Sequence, residues 1–71
     1  MKLEYLYGNT RHNGSPRGYL TDDGAAAIQG YRIDAESKAT AQPACPEHED
    51  IVKIPVDLIH KLSAALRERG L

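Results

Sequence analysis

Residues 18–33, GYLTDDGAAAIQGYRI, decide the fold of this 71-residue chain because they predict a β-hairpin. The Asp23-Gly24 pair supplies the positive-φ position that a tight turn requires, and a strand-like run lies on each side of it. Alternation along the return strand assigns one of its faces to four residues, Ala26, Ile28, Gly30 and Arg32. Gly30 predicts either a bulge in this strand or a close approach of a helix.

A helix is the competing interpretation of the alanine-rich run at residues 25–29. Glycines at positions 24 and 30 bound this run, and a segment that short does not form a stable helix by itself. We therefore expect a strand there, although alanine is a weak strand former.

Residues 55–70, PVDLIHKLSAALRERG, predict an amphipathic helix that packs against the hairpin. Pro55 suits the first helical position, Asp57 is favourable near the N-terminus of the helix dipole, and Gly70 is a stop signal. The apolar side chains recur at helical spacing and form one stripe, Leu58, Ile59, Leu62, Ala65 and Leu66.

The other segments complete a small sheet. Residues 3–7 predict a strand with Leu3, Tyr5 and Tyr7 on one face, residues 8–18 a loop with an Asn13-Gly14 turn, and residues 51–54 a short strand. Residues 34–50 predict a long acidic loop with one helical turn at 35–40. The sequence thus predicts one small α+β domain over residues 1–71, with an antiparallel sheet of three to four strands packed by one C-terminal helix.

Composition limits the function classes. The net charge is −1, so no overall field attracts nucleic acid or an anionic membrane, and the middle of the chain is acidic. A single cysteine, Cys45, excludes a disulfide within the chain and indicates a reducing compartment, so we expect a cytoplasmic protein. With no Phe or Trp and four Tyr, the core must be thin, which favours self-association or a partner.

No catalytic residue, cofactor or metal site is predicted. Cys45 and His48 could belong to a small metal site, but a structural zinc site normally needs four Cys or His ligands, so an exposed loop is the preferred interpretation. Catalysis by Cys45 would need a base and an oxyanion-stabilising element, which the pattern does not supply. Turn chemistry accounts for Asp22 and Asp23. The loop around Arg11 and His12 does not match a phosphate-binding motif.

The predicted interaction surface is the sheet face that one helix leaves uncovered, together with an unpaired strand edge. Its candidate partner-binding residues are Tyr5, Tyr19, Tyr31, Arg17 and Arg32. The leading hypothesis is a non-enzymatic regulatory module that binds a protein or a second copy of itself. The alternatives are a nucleic-acid-binding domain that uses Arg11, Arg17 and Lys53, and a small metal-binding protein that uses Cys45 and His48.

Four stretches carry a resemblance to a group of small uncharacterised actinobacterial proteins: residues 13–16 (NGSP), 19–24 (YLTDDG), 28–33 (IQGYRI) and 52–59 (VKIPVDLI). In that group the return strand of the hairpin reads V-Q-G-[WY]-[KR]-V. The order of elements is also similar, more distantly, to the developmental regulators typified by BldB. The resemblance implies a regulatory, protein-binding role, with a helix-turn-helix regulator as a candidate partner. Relatives commonly have Cys-Pro where this chain has Ser15-Pro16.

Overall fold

The computed structural model of this chain describes residues 1–8 and 16–71. Within them a three-stranded antiparallel sheet has the order β1-β2-β3, and a separate two-stranded ribbon is formed by β4 and β5. The α+β class is confirmed, with a small antiparallel sheet and a C-terminal helix packed against it. The strands are β1 (Leu3–Gly8), β2 (Arg17–Thr21), β3 (Ala26–Gln29), β4 (Tyr31–Arg32) and β5 (Val52–Lys53), and the helices are α1 (Ala35–Lys38) and α2 (Val56–Glu68).

The β2–β3 hairpin forms where the sequence predicts it. Gly24 has φ of +88°, which confirms its role as the positive-φ residue of the turn. Thr21 fixes the turn from its first position, because its hydroxyl oxygen accepts from the Ala25 N–H at 2.9 Å. The same hydroxyl donates to the Asp23 carboxylate, so this acidic residue acts in the turn, as its position beside Gly24 indicates. The alanine-rich run is a strand, and the helical alternative is wrong.

Strand β1 pairs with β2 and contains a bulge. Tyr5 lies opposite Tyr19, whereas Tyr7 lies opposite Gly18, so the register shifts by one residue between the two tyrosines. A bulge breaks strict alternation, and the face of Tyr7 therefore does not follow from those of Leu3 and Tyr5. Residues 9–15 of the predicted loop, which include the Asn13-Gly14 turn, lie outside the described residues. The predicted loop bounds are too wide, because Gly8 belongs to β1 and Arg17 and Gly18 belong to β2.

Helix α2 packs part of its predicted stripe on the sheet, whereas Ile59 of that stripe stays exposed. Leu58 and Leu62 are only 6% and 7% exposed and form the buried core of the described residues. Pro55 is the N-cap with an extended backbone and not the first helical residue, so the helix begins one residue later than predicted. Gly70 has φ of +78° just after the helix. A Cβ built on Gly18 would lie 2.3 Å from Leu62 Cδ2, so the missing side chain of β2 lets the helix approach the sheet.

Gly30 separates β3 from β4 and marks a close approach of another backbone, although the neighbour is a strand and not the predicted helix. A Cβ at Gly30 would lie 2.8 Å from the Lys53 carbonyl oxygen and 2.7 Å from Ile54 Cγ2. Only glycine leaves room for β5 at this point. The chain therefore leaves the main sheet after Gln29 and pairs in the ribbon, where Tyr31 lies opposite Lys53.

The acidic segment 34–50 contains one helical turn, α1, as predicted. Asp34 is its N-cap and accepts a hydrogen bond from the Ser37 N–H at 2.6 Å. Lys38, in the last turn, reaches the far end of the segment and pairs with Asp50 at 3.3 Å. The two ends of the segment are thus tied together by an ion pair that crosses it.

Candidate functional site

Helix α2 covers only part of the sheet. Its strand contacts are mainly with β1, and Glu4 of that strand forms an ion pair with Arg69 just after the helix. On the β3 side of the helix, Ile28 remains 47% exposed and Ile59 54% exposed. Ile28 lies opposite Gly18, the residue under Leu62, so its side chain is on the face that carries the helix. The apolar stripe is therefore wider than the surface it covers.

An apolar groove results between α2 and β3. It encloses about 240 Å³, which is less than the roughly 300–1,000 Å³ of pockets that take drug-sized ligands. No charged side chain lines it among the described residues, so its shape and polarity suit apolar side chains of a protein. The residues that line this groove are Leu6, Gly18, Tyr19, Ala26, Ala27, Ile28, Ile59, Leu62, Ser63 and Leu66.

Strand β3 forms one wall of the groove and is an edge strand of the main sheet. The Thr21 N–H donates to the Ala25 carbonyl at 2.9 Å, which makes these two residues a hydrogen-bonded pair. Because such pairs alternate along an antiparallel ladder, Ala27 also directs its backbone groups to β2. Ala26 and Ile28 consequently turn their N–H and C=O groups to the outer edge. This edge can accept a further strand.

Three of the predicted partner-binding residues share the face opposite α2. Tyr19 is next to Gly18 in β2 and therefore points away from the helix, and Tyr5 lies directly opposite it. Arg17 is two residues before Tyr19 and belongs to the same face. The Tyr5 hydroxyl donates to the Gly8 carbonyl at 2.6 Å, and the Tyr19 hydroxyl donates to Gln29 Oε1 at 3.1 Å. Both phenol groups are thus held in place on an exposed surface.

The other two predicted residues, Tyr31 and Arg32, are not part of that face. They lie in the β4–β5 ribbon, where Tyr31 is opposite Lys53 and Arg32 is opposite Val52. As neighbours in a strand they point to opposite sides of the ribbon. The positive residues of the nucleic-acid alternative are divided as well, since Arg17 is in the main sheet and Lys53 in the ribbon. Arg11 lies outside the described residues.

Two carboxylates in the acidic segment have perturbed ionisation. The Ser37 backbone N–H, helped by the Ser37 side chain, lowers the pKa of Asp34. The Ile51 backbone N–H lowers the pKa of Asp50, and Lys38 lowers it further. Arg32 adds a smaller effect in the same direction on the pKa of Asp50. Both carboxylates are exposed. Of the residues that lower their pKa values, Ser37 acts in the cap of α1 and Lys38 in the ion pair across the acidic segment.

Cys45 and His48 lie in the same acidic segment. The Cys45 thiol contacts the Pro46 carbonyl at 3.6 Å, and His48 Nε2 is 4.0 Å from the Glu49 carboxylate. Within residues 1–8 and 16–71 no three His, Cys, Asp or Glu residues are grouped so that they could hold a metal ion. His12 lies outside those residues. In the same part of the chain, no helix is both long and apolar enough to cross a membrane.

The groove between α2 and β3 was not predicted from sequence. The sequence pattern assigned Ile59 to the buried stripe and Ile28 only to a strand face. It could not show the groove between them, because the lateral position of a helix on a sheet is not encoded in helical periodicity. One signal was present in β3 itself. Ala26, on the face of β3 that carries the helix, is too small to fill the space beside it and leaves a depression.

Neither models of protein families, nor curated protein sequences, nor solved structures match this chain.

Proposed function

We propose that this chain is a non-enzymatic regulatory module that acts by binding a protein along the α2–β3 groove. The observation that carries the proposal is the combination of an uncovered apolar groove with a strand edge whose backbone groups point outward. A strand or short apolar segment of a partner can use both at once, because the edge supplies main-chain hydrogen bonds and the groove supplies side-chain contacts. The regulatory role rests on the sequence resemblance in residues 13–60.

The thin core supports this proposal. Among the described hydrophobic residues only Leu58 and Leu62 are buried, and no side chain is fully buried. Full burial of an exposed isoleucine contributes roughly 1.5–3 kcal/mol, and Ile28 and Ile59 are about half exposed, so covering each of them contributes about half of that. A chain with so little internal burial gains more from a partner than a well-packed domain does.

The tyrosine face supports a second, weaker contact. Tyr5 and Tyr19 lie side by side on the exposed face, and tyrosine is enriched in protein interfaces because it has a large apolar ring and a polar end. Their hydroxyl groups already have acceptors within the chain, so a partner would contact mainly the rings. This face and the groove lie on opposite sides of the same sheet.

A photo-crosslinking amino acid at position 28 tests the proposal in the native host. It should form a covalent adduct with a defined protein, because this position is at the open side of the groove. The matched control carries the same group at Glu36, an exposed residue of α1 on a different part of the surface. The proposal is wrong if position 28 yields no adduct above that of position 36.

A further inference from the structure

We propose that the protein bound at the edge of β3 is a second copy of this chain, paired antiparallel about a two-fold axis at Ala27. The inference rests on the proposed function and names its partner. It joins two three-stranded sheets into one continuous sheet of six strands. Both copies present the same surface, as a two-fold interface requires.

The hydrogen-bond phase of β3 determines the register. Only Ala26 and Ile28 turn their backbone groups outward within this strand, so each must pair with an outward residue of the other copy. Pairing Ala26 with Ile28 of the second copy satisfies both residues in both chains. Ala27 then lies directly opposite Ala27 of the second copy. That central pair is a non-hydrogen-bonded pair, in which the Cα atoms are about 4.5 Å apart, and two alanine methyl groups fit at this spacing.

The two edges of the sheet differ in a way that favours β3. Natural sheets protect edge strands with bulges, charged residues or proline. Strand β1 has a bulge between Tyr5 and Tyr7 and carries Glu4, with Lys2 just before it. Strand β3, with the sequence Ala-Ala-Ile-Gln, has no charge and no proline, and its pairing with β2 is regular. The unprotected edge is the one beside the groove.

Charge is unfavourable to one alternative symmetric arrangement, in which the helix of each copy lies between two sheets. The outer face of α2 would then have to be buried against the second sheet. That face carries the exposed residues Asp57, His60, Lys61 and Glu68, and unpaired buried charges are strongly unfavourable. Edge pairing leaves both helices on one side of the six-stranded sheet, with these residues in water.

Light scattering at increasing protein concentration, together with disulfide trapping, tests the inference. The mass should rise from 7.8 kDa to twice that value. In a Cys45→Ser background, Ala27→Cys should form a disulfide between copies. The Cα atoms of a non-hydrogen-bonded pair are about 4.5 Å apart, which is within disulfide range. Ala25→Cys is the matched control, since its two copies would be about 13 Å apart along the strands.

A mass that stays at 7.8 kDa at every concentration would overturn the inference, and so would equal trapping from positions 25 and 27. The proposed function fails by a different result, the absence of any adduct from position 28 in the host. An adduct with a different protein, formed by a chain that stays monomeric, would remove the second copy and leave the groove as a binding site.

Discussion

The contact between Gly18 and Leu62 determines how closely α2 approaches the sheet, and a double-mutant cycle measures it. In Gly18→Ala the new Cβ would lie 2.3 Å from Leu62 Cδ2 and 2.7 Å from Cδ1, so the leucine must move. Overpacking of this kind costs about 1–3 kcal/mol. Alanine recovers about 0.5–1 kcal/mol of backbone entropy relative to glycine. We expect a net loss of up to about 2.5 kcal/mol in the free energy of unfolding.

Leu62→Ala removes one of the two buried leucines and should cost about 2–5 kcal/mol. The lower half of that range applies, because Leu62 lines an open groove that its neighbours and water can fill. A domain of this length has roughly 4–11 kcal/mol of total stability, so the variant remains measurable in urea. In the double variant the methyl group added at position 18 enters the space that Leu62 leaves. The loss should then be about 1–2 kcal/mol smaller than the sum of the single losses.

Urea unfolding followed by circular dichroism at low protein concentration gives all the free energies. The matched control combines Gly18→Ala with Leu58→Ala, because the three atoms nearest the new Cβ all belong to Leu62. That pair should be additive within about 0.5 kcal/mol. Additivity of the Leu62 pair to the same precision would refute the reasoning, since the helix would then not rest on Gly18.

Two further predictions concern the ribbon and the acidic segment. Gly30→Ala would place a Cβ 2.8 Å from the Lys53 carbonyl oxygen. Amide hydrogen exchange in the ribbon should therefore accelerate, while that in β2 changes little. Equal protection of the ribbon in the wild-type protein and in the variant would contradict the close approach. The lowered pKa values of Asp34 and Asp50 mean that their contribution to stability is present above the ordinary pKa of 3.8 and is lost as the pH falls toward the lower folded value. The protection factor of the Ser37 amide, which compares its exchange rate with that of an unstructured peptide at the same pH, should therefore fall in acid. Asp34→Ala should remove this pH dependence of the protection factor; an unchanged dependence in that variant would show that the cap is not its cause.

The candidate site was partly predictable. An unpaired strand edge and an uncovered sheet face follow from too few strands and one helix, and in the structure Tyr5 lies opposite Tyr19 on that face. The separation of Tyr31 and Arg32 was not predictable, because it depends on where the strand leaves the main sheet. Gly30 indicated that something passes closely, but a glycine does not identify its neighbour.

The sequence alone determined the elements that depend on local interactions. The Asp23-Gly24 turn, the helical turn within residues 35–40 and the apolar stripe of α2 all act over a few residues, through backbone hydrogen bonds and helical spacing. Only the tertiary structure decided that α2 lies toward β1, and hence that Ile28 and Ile59 border an open groove beside a free edge. The reason is that the lateral position of a helix on a sheet depends on side-chain volumes across strands, here the absent side chain of Gly18, and these strands are distant from the helix in sequence.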